Sequence, residues 1–300
     1  MNAEDEKALQ ETVGALLESP ADEVLGLLEE AGWDDLVAEE EASAISILFG
    51  EHGRILGAAR ILDDVMLREV RALDVSLDIA AVGYDLGMGD EFLLTGEPPA
   101  QGWVLVLGEG TAVAWDAAAL VSSPLDGFDE HLEWVRVRPN GDPRVLAAIE
   151  FEVVVAAGRR ALAAELIGVA DETLRLAIEY TTQRVQYGRQ IASFQTVRHR
   201  LSDCHSAIDA ARALLAAAFE DDGALAAAVA KASASRAAQL TATHAVQIFG
   251  AIGSTQEHVL HRYIARAAVL DVPLTGHREL VRAIGAHLIA AGEAPALNEL

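Results

Sequence analysis

No proline occurs between Pro143 and Pro273, and that gap constrains the chain more than any other feature. Proline removes a backbone donor and breaks helix interiors. A long proline-free stretch rich in Ala, Leu, Glu and Arg therefore predicts long helices packed as a bundle. The expected helices span 150–187, 194–220, 223–249, 255–270 and 276–291, with breaks at Gly188, Asp222-Gly223 and Gly250–Gly253. The first 75 or so residues also read as helical. Ser19-Pro20 followed by Glu23 predicts a capped helix start, and Gly32 a stop. Between 84 and 150 the texture changes to short β-type runs, "EFLLTG", "GWVLVLG", "TAVAW" and "HLEWVRV", separated by Gly, Pro and Asp. Ser122-Ser123 reads as a turn. The expected fold class is mainly α with a small β-domain, divided as a helical domain at 1–83, a β-domain at 84–149 and a helical bundle at 150–300.

With 52% apolar residues, 300 residues can bury a substantial core. The net charge of −25 comes from 47 acids against 22 bases, and it repels nucleic acid and anionic lipid. An anionic ligand must then be met by locally placed arginines and helix N-termini. No uncharged apolar run is long enough to span a bilayer, and "MNAEDEKALQ" is too acidic for a signal peptide. The single cysteine, Cys204, gives no internal disulfide, so the expected location is the cytoplasm. His258 and His261 stand three residues apart without a supporting ligand set, and Cys204 and His205 are adjacent on a helix and cannot face one another. Neither pair reads as a reactive or metal site.

Two corners interrupt the bundle. In "RVQYGRQIASFQTVRHRLSD", 184–203, a good helix pattern is broken at Gly188, and Ser193 is placed to cap a new helix at "FQTV". An arginine before such a corner and a glutamine after it can grip a phosphate-bearing ligand. "QIFGAIGSTQEH", 247–258, has the same character: Gln247 closes a helix, two glycines allow close backbone approach, and Thr255 and Glu257 open the next. Glycine corners with caps also occur as plain turns.

Three stretches together carry a resemblance: "AAELIGVADETLRLAIEYTTQRVQYGRQIASFQTVRHRLSD", "AVAKASASRAA" and "QIFGAIGSTQEHVLHRYIARAAVLD". They are similar to the C-terminal domain of the acyl-CoA dehydrogenases, of the actinobacterial type that serves lipid and steroid catabolism. The resemblance implies FAD lying across a subunit interface. The neighbour-side contacts would be Arg184, Gln186, Tyr187 and Gln195 at the first corner, and Gln247, Phe249, Gly250 and Ala251 at the second. Ala251 stands where the family usually has a second glycine.

Other family features are missing. The chemistry needs a glutamate base, but one family position falls on Leu274 or Thr275 and the other on Gly158. Glu165, Asp171 and Glu172 lie near in sequence and read as solvated or helix-end charge. The middle domain looks reduced: Trp103 and Trp115 lack the expected hydroxyl two residues on, and only its second half, with Leu125-Asp126, keeps the family pattern.

The resemblance therefore implies a non-catalytic subunit of a heteromeric FAD-dependent acyl-CoA dehydrogenase, an α2β2 assembly whose partner supplies the base. A bulky acyl-CoA would be the substrate and an electron-transfer partner would take the electrons. Two alternatives stand beside it: a self-sufficient flavoenzyme using Glu165 or Asp271 as base, and a flavin-free scaffold on the same fold.

Overall fold

The computed structural model describes residues 1–73, 75–89, 91–108, 110–125, 129, 132–221 and 223–292. Four helices come first: α1 (Ala3–Leu17), α2 (Val24–Glu30), α3 (Trp33–Ile55) and α4 (Ile61–Ala72). Asn2 caps α1 by accepting from the amides of Glu4 and Asp5. Helix α2 starts later than Ser19-Pro20 suggests. Pro20–Glu23 form a turn, and no side chain caps the helix. Gly32, at φ 79°, separates α2 from α3.

A mixed sheet follows, from β1 (Ile79–Met88), β2 (Glu91–Thr95), β3 (Trp103–Gly108), β4 (Thr111–Asp116), β5 (Leu120–Pro124), β6 (Trp134–Pro139) and β7 (Arg144–Leu146). Its order is β5-β6-β2-β1-β3-β4-β7, with β1 and β3 parallel and the other pairs antiparallel. Ser122 and Ser123 belong to β5, paired with Val137 and Arg136, rather than to a turn. Alternation gives the sheet two apolar faces. Val82, Tyr84, Leu93, Leu105 and Leu107 join the main core, while Phe92, Leu94, Val104, Val106 and Trp115 form a second cluster. Asp126 lies outside the described residues.

The bundle comprises α5 (Glu152–Gln183), α6 (Gln195–Asp221), α7 (Ala224–Phe249), α8 (Leu260–Asp271) and α9 (His277–Ala291). Helix α5 is its axis, packed against α3, α6, α7 and α8. Small residues set the spacing of α3 and α5: a Cβ on Gly168 would run into the backbone of Gly50, and one on Gly53 into the backbone of Glu165. The chain is mainly helical with a mixed-sheet domain in the middle. Among the described residues no helix is long and apolar enough to cross a membrane.

Candidate functional site

Helix α5 ends at Gln183, earlier than expected, because the next residues make a hairpin. Arg184 leaves the helix with an extended backbone, its amide still bonded to the Tyr180 carbonyl at 2.9 Å. Strands β8 (Val185–Gln186) and β9 (Arg189–Gln190) then pair across Tyr187-Gly188. Both loop residues have positive φ, 52° and 76°, the requirement of a two-residue type I′ turn. Gly188 is thus a hairpin residue, and Arg184 sits at the hairpin's base rather than one helical turn before a bare break. The Ile191 amide closes that base on the Arg184 carbonyl at 2.9 Å. Ser193 does not cap α6; its hydroxyl donates to the Gln190 carbonyl inside a 3-10 turn. The Phe194 carbonyl accepts the first amides of α6 instead.

The second corner opens where α7 stops. Gly250 has φ 65° and ψ −142°, a conformation reserved for glycine, and nothing lies within 4 Å of where its Cβ would be. A 3-10 turn, Gly250–Ser254, follows, and α8 starts only at Leu260, so Thr255 and Glu257 lie in the turn between. His258 explains the delay. Its Nδ1 accepts from the Leu260 amide at 3.0 Å and starts the helix there. Its ring lies 4.5 Å from that of Phe249, and His261 Nδ1 meets the His258 carbonyl at 2.7 Å. Both histidines are spent on the corner. Among the described residues no His, Cys, Asp and Glu group is arranged to hold a metal.

Tyr180 stacks on Phe249 with centroids 4.2 Å apart and planes 18° from parallel, which brings both corners to one end of the bundle. Arg184, Gln186, Tyr187, Gln195, Gln247, Gly250 and Ala251 are all exposed there, Tyr187 at 94%. Phe249 is buried beneath them. Around the hairpin, the Arg189 guanidinium lies 4.2 Å from the centroid of Phe194, and Tyr187 meets the same ring edge-on. Residues 184–200 contain four arginines, 184, 189, 198 and 200, and no acid, in a chain with 47 acids. That local reversal of charge, beside the N-terminus of α6, suits a diphosphate. The acid-free run was the available sequence signal for Arg189 and Arg198.

A second region lies deeper. Gly158 of α5 and Leu274 face each other: Leu274 Cδ1 is 2.5 Å, and Met66 Sδ 2.8 Å, from where a Cβ on Gly158 would stand. Leu274 and Thr275 both have positive φ, 55° and 83°, unusual for such side chains. Cations pin this loop. Lys231, fully buried, donates to the carbonyls of Asp271 and Thr275 at 2.9 and 2.6 Å. Arg159 Nε donates to the Leu274 carbonyl at 3.2 Å. Burial, opposed by the Asp271 charge, pushes Lys231 down to about 7. Asp271 is occupied, accepting from the His277 amide at 3.0 Å and from Gln239 at 3.2 Å. A cavity of about 440 Å³ adjoins the loop, with Val155, Arg159 and Leu107 among its walls.

Glu165 overturns its reading as solvated charge. It is 3% exposed, 3.0 Å from His52 Nδ1 and 3.2 Å from Arg266. Burial alone would raise its carboxyl; His52 and Arg266 outweigh burial and hold it below the usual range. Arg266 also binds Asp129 and the Leu56 carbonyl. Asp171 and Glu172 do sit at the surface side of α5, paired with Arg212 and Arg175 at 2.6 and 2.7 Å. Cys204 is buried, while His205 is exposed and pairs with Asp209.

Residues 152–289 match the acyl-CoA dehydrogenase C-terminal domain. Acyl-CoA dehydrogenase IpdE2 of Mycobacterium tuberculosis is 31% identical over 93% of this chain and 96% of its own length. Among solved structures, the Tcur3481-Tcur3483 steroid ACAD variant superposes with a TM-score of 0.70 at 22% identity, covering 96% of this chain and 98% of that one. The ChsE4-ChsE5 complex from Mycobacterium tuberculosis gives 0.71 at 19% identity, covering 99% of each. At those identities the two structures share the fold. The near full-length relative, with the matching C-terminal domain, establishes that the chain belongs to the acyl-CoA dehydrogenase family.

Proposed function

We propose that this chain is the non-catalytic subunit of a heteromeric FAD-dependent acyl-CoA dehydrogenase. Its exposed corners would hold the pyrophosphate end of a flavin whose ring and catalytic base lie on a partner chain. The observation that carries this reading is the packing of Gly158 against Leu274 and Met66. None of the residues on which the resemblance places the base, Gly158 and Leu274 or Thr275, is an acid, and Leu274 packs into the space beside Gly158. FAD, when bound, would accept the substrate's β-hydrogen as hydride. This chain's part is to grip: Arg184 and its neighbouring arginines on phosphate, Gln195 and Gln247 as hydrogen-bonding side chains, Gly250 and Ala251 as close backbone. Gln186 and Tyr187 complete that surface from the hairpin.

The division expected at 83/84 and 149/150 belongs to the same reading, with 84–149 as a reduced flavin-ring domain and 150–300 as the flavin and assembly domain. Its first boundary moves back to the start of β1 at Ile79, because 83/84 would cut that strand. Likeness to the ChsE4-ChsE5 complex supports a partner chain; the α2β2 stoichiometry is part of the proposal. Likeness to a steroid ACAD supports a bulky, steroid-type acyl-CoA as substrate. The self-sufficient alternative is weakened because Glu165 and Asp271 are both committed to structural bonds.

Expression alone and with a candidate partner dehydrogenase tests the proposal. The chain alone is expected to be colourless and inactive, and the pair yellow and active with an acyl-CoA. A homo-oligomer with full flavin and turnover overturns it. Absence of flavin with every partner supports the scaffold alternative.

A further inference from the structure

Away from both regions, a small cavity lies between α3, α4 and β6. It is walled by His52, Ala59, Leu62, Trp134, Glu165 and Leu270, and holds about 30 Å³, the room one water molecule occupies. Two residues of its wall carry buried polar atoms with no hydrogen-bond partner among the described residues, His52 Nε2 and Trp134 Nε1. The residues are 2% and 7% exposed. Buried polar atoms are nearly always paired, so two orphans on one cavity need a common explanation.

The His52 ring cannot turn to satisfy itself. Nδ1 lies 3.0 Å from Glu165 Oε1, and a carboxylate accepts, so Nδ1 carries the hydrogen and Nε2 is aimed away. Room for Nε2 depends on Gly57, whose Cβ would stand 2.6 Å from it. Trp134 Nε1 can only donate. We infer that the cavity is the binding site of one structural water, which accepts from Trp134 Nε1 and donates to His52 Nε2. The water joins β6 to α3 and completes the second nitrogen of a histidine whose first nitrogen is held by Glu165 and, through it, by Arg266. A water has both a donor and an acceptor for this pair, whereas a halide could only accept.

A high-resolution crystal structure of the full chain in its complex, together with 15N spectra of its histidines, tests the assignment. The expected result is one water peak within hydrogen-bonding distance of both Nε atoms, and a His52 hydrogen on Nδ1. In Trp134→Phe, which removes the donor and part of the ring's volume, the peak should weaken or shift toward His52. An empty cavity, an anomalously scattering halide in it, or a His52 hydrogen on Nε2, with or without one on Nδ1, overturns the inference.

Discussion

Leu274 and Gly158 occupy one another's space: the Leu274 Cδ1 atom stands 2.5 Å from where a Gly158 Cβ would be, with Met66 sulfur at 2.8 Å. They are 116 residues apart in the chain, yet Gly158 is one position at which the family resemblance looks for a base, and Leu274, with Thr275, the other. Gly158→Ala is therefore expected to overpack the core and destabilise the chain by about 1–3 kcal/mol. Urea unfolding of the folded complex measures it. Unchanged stability would mean that the space is open.

Helix contact makes a stronger demand on Gly168. Its Cβ would collide with the Gly50 backbone, which cannot rotate away as a side chain can. Gly168→Ala should separate α3 from α5 and cost more than Gly158→Ala, seen as a lower thermal midpoint. An equal or smaller loss would contradict the close crossing.

Much of this was legible in the sequence, for physical reasons. Proline absence marks long helices because proline breaks them, so α5, α7 and α9 lie close to where they were expected. The hairpin was not legible, because a glycine ending a helix and a glycine ending a type I′ turn look alike in one dimension. Tyr187 at positive φ was the hidden half of the signal. Glu165 was misread because helical spacing says nothing about partners from distant segments. His52 lies 113 residues earlier in the chain. The paired vacancy at Gly158 and Leu274 was visible as two missing acids, but that they touch required the fold.

Glu165→Gln leaves Arg266 and His52 with one buried anion fewer. Removing one partner of a buried ion pair costs on the order of 3–5 kcal/mol. Stability should fall by that order while turnover per folded complex stays nearly unchanged, because Glu165 is not the base. Loss of turnover at full folding would instead favour the self-sufficient enzyme.

Asp63 links stability to pH. Burial pushes its carboxyl up from 3.8 to about 6, against bonds from Thr95 and Tyr84 that favour the charged form. A raised carboxyl is stabilising in its protonated state. Its contribution is complete below about 3.8 and is lost as pH rises through about 6. Asp63→Asn removes that titration, so the stability difference between pH 5 and pH 8 should become more favourable to pH 8 in the variant. Denaturant midpoints at the two pH values decide; identical pH dependence in both proteins would contradict the shift.

The central claim is that this chain grips a flavin whose chemistry is done by another, and Arg184 tests it most directly. Its guanidinium is exposed at the bundle end, within an acid-free run in a chain of net charge −25. Losing a charged phosphate contact costs on the order of 2–5 kcal/mol of binding, a weakening of roughly 30-fold or more. The measurement is the flavin affinity, by visible absorbance, of the complex assembled with Arg184→Ala on this chain alone. A weakening of that size with the helical fold intact is the predicted result; unchanged flavin affinity would contradict the account.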